Sequence, residues 1–145
     1  MPFRYRYFPE KECLYTVGKG KVSLQEFLDY HLSIQIDNPK PVLRILADYR
    51  ELDPSDLKTS DIEKLKESAL NKVEAKYAKV REATVVSDLL TWGLSRQYDG
   101  SYYSELYDLQ VFTDIDEARS WLELPPETVL KFDAQQKGTH IMRML

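Results

Sequence analysis

Cysteine occurs once, as Cys13, so no disulfide can form within the chain and a disulfide framework is excluded. It lies in the apolar stretch Cys13-Leu14-Tyr15-Thr16-Val17, where a small buried side chain is expected rather than a reactive thiol. Histidine is nearly as scarce. His31 and His140 form no HxxxH pair and no CxxC exists, so a zinc site would have to gather ligands from distant elements. With five glycines the chain has neither GxxxxGK[ST] nor GxGxxG, and GxSxG is missing too. No metal and no cofactor is expected. No window reaches the roughly 18 apolar residues of a membrane span, so no transmembrane segment is expected. The opening MPFRYRYFPEKE lacks a signal-peptide core of about 7–15 apolar residues, and a cytoplasmic location follows as the expectation. Basic residues number 20 against 24 acidic ones, and the net charge of −4 argues against nucleic acid as a partner.

What is present fits one domain. The 145 residues are 43% hydrophobic and 30% charged, enough to bury a core and too apolar for a disordered chain. Aromatic usage is skewed, with ten Tyr against five Phe and two Trp. Along the chain most of these tyrosines disperse over separate elements. Only Tyr98, Tyr102 and Tyr103 cluster, on or just after the segment Trp92 to Arg96.

Phe3-Arg4-Tyr5-Arg6-Tyr7 alternates with period two, as a half-buried antiparallel or edge strand does, and outward Arg4 and Arg6 would discourage edge-to-edge pairing. A second strand is expected from about Glu12 to Val17, punctuated by Gly18-Lys19-Gly20. Ser23-x-x-Glu26 is a capping box that opens an amphipathic helix carrying Leu24, Phe27, Leu28, His31 and Ile34. His31 falls in the apolar stripe and reads as a packed histidine with one hydrogen bond. After the break Asp37-Asn38-Pro39-Lys40-Pro41, the nearly continuous apolar run Val42 to Ala47 suits a central strand, ending at Asp48-Tyr49-Arg50. Ser60-x-x-Glu63 is a second capping box, before a helix with Ile62, Leu65, Ala69 and Val73 on one face. Ala83 to Val86 reads as a third buried strand, closed by Ser87-Asp88, and a helix through Trp92 to Tyr98 follows. Leu109 to Phe112 is a last short strand. Asp114-x-x-Glu117 caps a final helix that Pro125-Pro126 stops.

The predicted order is ββαβαβαβα: an α/β domain with a mainly parallel central sheet, an antiparallel N-terminal edge strand, and helices packed on the sheet. Residues 1–123 form the domain. Residues 124–145 form a C-terminal extension whose apolar islands, Val129 to Phe132 and Ile141 to Leu145, are expected to pack on the domain or on a second subunit.

This order, the capped helix after Gly20-Lys21-Val22-Ser23, and the strand Arg44-Ile45-Leu46-Ala47-Asp48-Tyr49-Arg50 resemble the SpoIIAA-like family. That family is related to STAS (anti-sigma-factor antagonist) domains and distantly to SEC14-type lipid-binding folds. Trp92-Gly93-Leu94-Ser95-Arg96 is similar to its helix-three pattern. Val111-Phe112-Thr113-Asp114-Ile115-Asp116-Glu117-Ala118-Arg119-Ser120-Trp121-Leu122 is similar to its closing motif, the most specific part of a resemblance covering about residues 3 to 122. The resemblance implies a small bacterial α/β domain without cofactor. In STAS antagonists a serine after the strand matching 42–48, in an Asp-Ser-Ser-Gly context, is phosphorylated by a partner kinase. The matching stretch here, Asp53 to Asp61, offers Ser55, Thr59 and Ser60 as candidate phosphorylation sites, but it has no Ser-Ser-Gly and is longer.

Three functions are weighed. The first is a non-catalytic regulatory module that binds a protein partner, a kinase or an anti-sigma-like regulator. Its surface would lie at the carboxyl ends of the central strands, from Asp48, Arg50, Ser87 and Asp88, with Trp92, Arg96 and Tyr98 beside them. The second is a carrier or sensor of an apolar small molecule or lipid, in a cavity walled by Trp92, Tyr98, Tyr102 and Tyr103. The third is an enzyme built on Asp48, Arg50, His31 and Arg96, where the carboxylate–arginine pair serves equally well as a structural ion pair. Tyr, Trp and the apolar tail together predict a homodimer.

Overall fold

A computed structural model describes residues 2–34, 42–58, 60–61, 64–65, 67–68, 79–88, 107–126 and 143–144. Strand β1 (Phe3–Phe8) leads through a 3-10 turn (Pro9–Lys11) into β2 (Cys13–Lys21), and helix α1 (Leu24–Ser33) follows. Then come β3 (Val42–Asp53), β4 (Lys79–Val85), β5 (Tyr107–Phe112), helix α2 (Ile115–Trp121) and the two-residue β6 (Arg143–Met144). Between β3 and β4, residues 60, 61, 64, 65, 67 and 68 are helical. The strands form one sheet in the order β5-β4-β3-β2-β1-β6. β2, β3, β4 and β5 run parallel, while β1 is antiparallel to β2 and β6 antiparallel to β1. The α/β class and the mainly parallel sheet agree with the sequence. β1 is antiparallel as expected, but β6 lies outside it.

Strand alternation splits the core in two. Phe3, Tyr5, Leu14, Leu43, Ile45, Ala47, Tyr49 and Val80 face α1, whose Phe27 and Tyr30 complete that cluster. Cys13, Tyr15, Val17, Leu46, Ala83 and Val85 face the other way, with Ala118 and Leu122 at α2. The first core is aromatic at its centre: Phe3 stacks on Tyr30 with ring centroids 4.5 Å apart, and Phe27 meets Tyr49 edge-on at 5.6 Å. Tyrosines that look dispersed in the sequence therefore converge. Tyr5, Tyr30 and Tyr49, from three elements, share this one cluster. Full burial of each ring contributes roughly 1.5–3 kcal/mol.

Local signals set most element ends. Ser23 accepts from the Glu26 amide at 3.1 Å while the Glu26 carboxylate accepts from the Ser23 amide at 2.9 Å, the reciprocal capping box expected. Asp114 caps α2 by accepting from the amides of Asp116 and Glu117. α2 stops before the prolines, because Glu123 turns left-handed (φ 60°) and the Leu124 amide reaches back to the Arg119 carbonyl.

Three expectations are corrected. Gly18-Lys19-Gly20 does not end β2: the strand runs on to Lys21, and the register against β3 shifts between Val17 and Lys19. That bulge explains Gly18, since a Cβ there would lie 3.2 Å from the Leu52 and Tyr49 side chains. β3 likewise does not stop at Arg50, because β2 continues to pair with it up to Asp53. Ser60 is not the helix cap. It is already helical, and the Asp61 carboxylate accepts from the Lys58 amide at 2.9 Å, so the helix starts ahead of Ser60.

Candidate functional site

The carboxyl end of the parallel strands is uneven. The ladder between β3 and β4 closes at Asp48 and Val85, yet β2 and β3 continue together as a two-stranded ribbon to Lys21 and Asp53. After β4 the Val86 amide donates 2.9 Å to the Phe112 carbonyl, drawing the chain toward β5. A step is left between the ribbon and the ends of β4 and β5.

Asp48 sits at that step. Its carboxylate receives Arg50 Nε at 2.9 Å, Arg50 Nη2 at 2.8 Å and the Arg50 backbone amide at 3.2 Å. The i,i+2 spacing of a strand puts both side chains on one face, the face toward α2 that Leu46 also occupies. The Asp48 side chain is only 14% exposed and that of Arg50 is 43% exposed. A bidentate pair of this geometry fixes the guanidinium plane, although at such exposure its stability contribution is about 1 kcal/mol or less. Ser87 and Asp88, both exposed, leave β4 at the same end. Lys19 pairs with Glu51 at 3.5 Å and Lys21 with Asp56 at 3.6 Å, so the ribbon beside the step is lined with charge of both signs.

The structure thus gathers Asp48, Arg50, Ser87 and Asp88 at one sheet end. Trp92, Arg96, Tyr98, Tyr102 and Tyr103, and with them the proposed apolar wall, lie outside the described residues, as do Thr59 and His140. Ser55 and Ser60 are exposed in the connection after β3. The Asp53 carboxylate accepts from the Ser55 amide at 3.0 Å, and this hydrogen bond holds its pKa below the usual carboxylate value. His31 is half-buried on α1, 3.3 Å from the Ser68 hydroxyl and edge-on to Phe27. α1 covers the opposite face from Asp48, so the sheet stands between the histidine and the carboxylate that an enzyme reading would pair.

No family model, curated protein or solved structure matches the chain.

Other chemistry is muted. Cys13 is fully buried, and burial pushes its thiol up to about 12. Among the described residues, no group of three or more His, Cys, Asp and Glu side chains could hold a metal ion. No helix of the described residues is long and apolar enough to cross a membrane. Sequence reasoning missed a buried polar row under α1. Thr16, Ala47 and Thr84 are register neighbours on β2, β3 and β4. The Thr16 and Tyr30 hydroxyls lie 2.6 Å apart, and Thr84 donates to Glu82 at 2.6 Å. Thr16 reads in sequence as one more strand residue, and nothing local marks its partner fourteen residues on.

Proposed function

We propose that the chain is a small non-catalytic regulatory domain of STAS-like type, which docks a protein partner on the strand ends carrying Asp48, Arg50, Ser87 and Asp88. One observation carries this reading: Asp48 holds Arg50 by two side-chain hydrogen bonds at the open end of the parallel strands, presenting a pre-oriented charged pair. Open α/β sheets place their ligands at strand ends of this kind. A guanidinium already held in one plane loses little entropy on meeting a partner's acidic or backbone groups, which favours recognition over chemistry. The mixed sheet, parallel apart from its N-terminal and C-terminal strands and carrying a helix on each face, supports the STAS-like assignment.

The test is affinity capture with quantitative mass spectrometry from the source cell, comparing the native chain with Arg50→Glu. A partner whose recovery falls at least about tenfold in a folded Arg50→Glu variant supports the proposal, that being roughly the loss expected for a well-placed charged contact. Identical protein sets from both chains would overturn it. For a switch by phosphorylation, local electrostatics favour Ser60 over Ser55. Ser60 lies in the first turn of a helix, where negative charge is stabilised, whereas Ser55 stands between Asp53 and Asp56. Phosphopeptide mapping that finds none of Ser55, Thr59 and Ser60 modified removes the switch.

A further inference from the structure

β5 ends the sheet on the side away from β1. The Val86 amide donates to the Phe112 carbonyl at 2.9 Å, so Asp108, Gln110 and Phe112 turn their backbone groups toward β4. Tyr107, Leu109 and Val111 turn theirs outward, and among the described residues nothing pairs with them. The usual devices that blunt such an edge are not built into β5. Its six residues, YDLQVF, make a strand of ordinary length without Lys, Arg or Pro. Its register against β4 runs from Tyr107 to Phe112 without a shift. Its one charge is Asp108, whose side chain is 42% exposed and meets Arg81 of β4 at 3.8 Å.

We propose that the outer edge of β5 pairs with β5 of a second copy of this chain, antiparallel about a two-fold axis through Leu109. Such a contact must be complementary to itself, and this register is. Leu109 meets Leu109 of the second copy, and Tyr107 meets Val111, each pair exchanging both of its outward backbone hydrogen bonds. Between them Asp108 lies opposite Gln110 of the second copy, whose side-chain amide can donate to the carboxylate, and symmetry repeats the contact. Other centres fit worse. Pairing about Asp108 sets two carboxylates against each other, pairing about Gln110 sets Asp108 against Phe112, and pairing about Val111 sets it against Asp114. The axis stands perpendicular to the sheet, so both copies keep α1 on one side and α2 on the other. The apolar cluster that holds Leu109 and Val111 then runs on across the joint. An edge strand of another protein would supply backbone groups but not this matched set of side chains.

Two measurements test the pairing. Sedimentation of the full chain over a range of concentrations is expected to show a monomer–dimer equilibrium. Gln110→Asp opposes carboxylates at both symmetric contacts and is expected to raise the dissociation constant about tenfold. Gln110→Lys sets an ammonium against Asp108 and is expected to lower it. A chain that stays monomeric into the millimolar range, or variants that fail to move the constant in opposite directions, overturns the proposal. The register is read by cross-linking. Asp108 and Gln110 of the second copy form a non-hydrogen-bonded pair, whose Cα separation of about 4.5 Å suits a disulfide. Mild oxidation of a mixture of Asp108→Cys and Gln110→Cys chains, with tags of different length, is expected to give a cross-linked heterodimer on a non-reducing gel. Either variant alone is expected to give none, with buried Cys13 taking no part. Cross-linking no greater in the mixture than in either variant alone overturns the proposal, and this result decides by itself if a charge variant does not fold.

Discussion

Removing the Tyr30 hydroxyl, the Thr16 hydroxyl, or both measures the polar row under α1. The oxygens are 2.6 Å apart, and the residues are 0% and 2% exposed, so water cannot replace a lost partner. Tyr30→Phe leaves Thr16 facing a ring edge, and a stranded buried hydroxyl costs about 1–3 kcal/mol. Thr16→Val costs the Tyr30 hydroxyl this partner while its bond with Tyr49 remains, and the loss is further relieved because Val suits a strand and keeps the volume. We expect losses of about 1–2 kcal/mol for each single variant and again about 1–2 for the double, a coupling near 1 kcal/mol. For a domain of this size that is roughly 2–4 °C in Tm per kcal/mol. Urea titrations followed by circular dichroism supply the numbers, with an unchanged slope certifying that only stability moved. Losses that simply add, to within about 0.3–0.5 kcal/mol, would show that the hydroxyls do not depend on each other and would refute the reasoning.

Two further outcomes follow from the backbone and from burial. Glu123 holds a left-handed φ of 60° at the end of α2, so Glu123→Gly is expected to stabilise by roughly 0.5–1 kcal/mol; an unchanged or lower Tm contradicts the assignment of strain. Cys13 ionises near 9.0 when unfolded and about 12 when folded. Its share of stability is therefore complete below pH 9 and lost as pH rises from 9 toward 12, so Cys13→Ala is expected to flatten the fall in urea midpoint as the pH first rises above 9. The native thiol is also expected to react with a disulfide reagent only at the rate of unfolding, and prompt labelling would show it to be accessible.

Where signals are local, the sequence already holds the structure. Ser23 with Glu26, and Asp114 ahead of the last helix, mark their own helix starts because a cap needs only residues a turn away. The alternation of β1 and the apolar run of β3 are equally plain. What depends on neighbours far along the chain is not. Gly18 looks like an end to β2, and only the side chains of Tyr49 and Leu52 reveal it as a bulge. β3 outlasts its apolar run because β2 offers a partner, and Ser60 already lies inside the helix, where the Asp61 carboxylate accepts from the Lys58 amide ahead of it. At the candidate site, Asp48 and Arg50 are legible as an i,i+2 pair on a strand. The step they occupy is not, since it arises from the unequal lengths of two ladders. Thr16 and Tyr30 meet only through the packing of α1 on the sheet.

Arg44 shows what such long-range contacts do for the domain as a whole. From β3 its Nη1 donates to the Leu122 carbonyl at 2.8 Å, at the end of α2, while its Nη2 donates to the carbonyl of Lys11 in the turn after β1. One planar cation is thus knotted to the first hairpin, the central strand and the last helix. Fraying at either end leaves a half-buried charge short of acceptors, so a loss begun at the hairpin is felt at the helix seventy-eight residues away from Arg44. Such a domain should open all at once rather than peel, so the strand ends carrying Asp48 and Arg50 would be formed or lost together with the rest of the sheet.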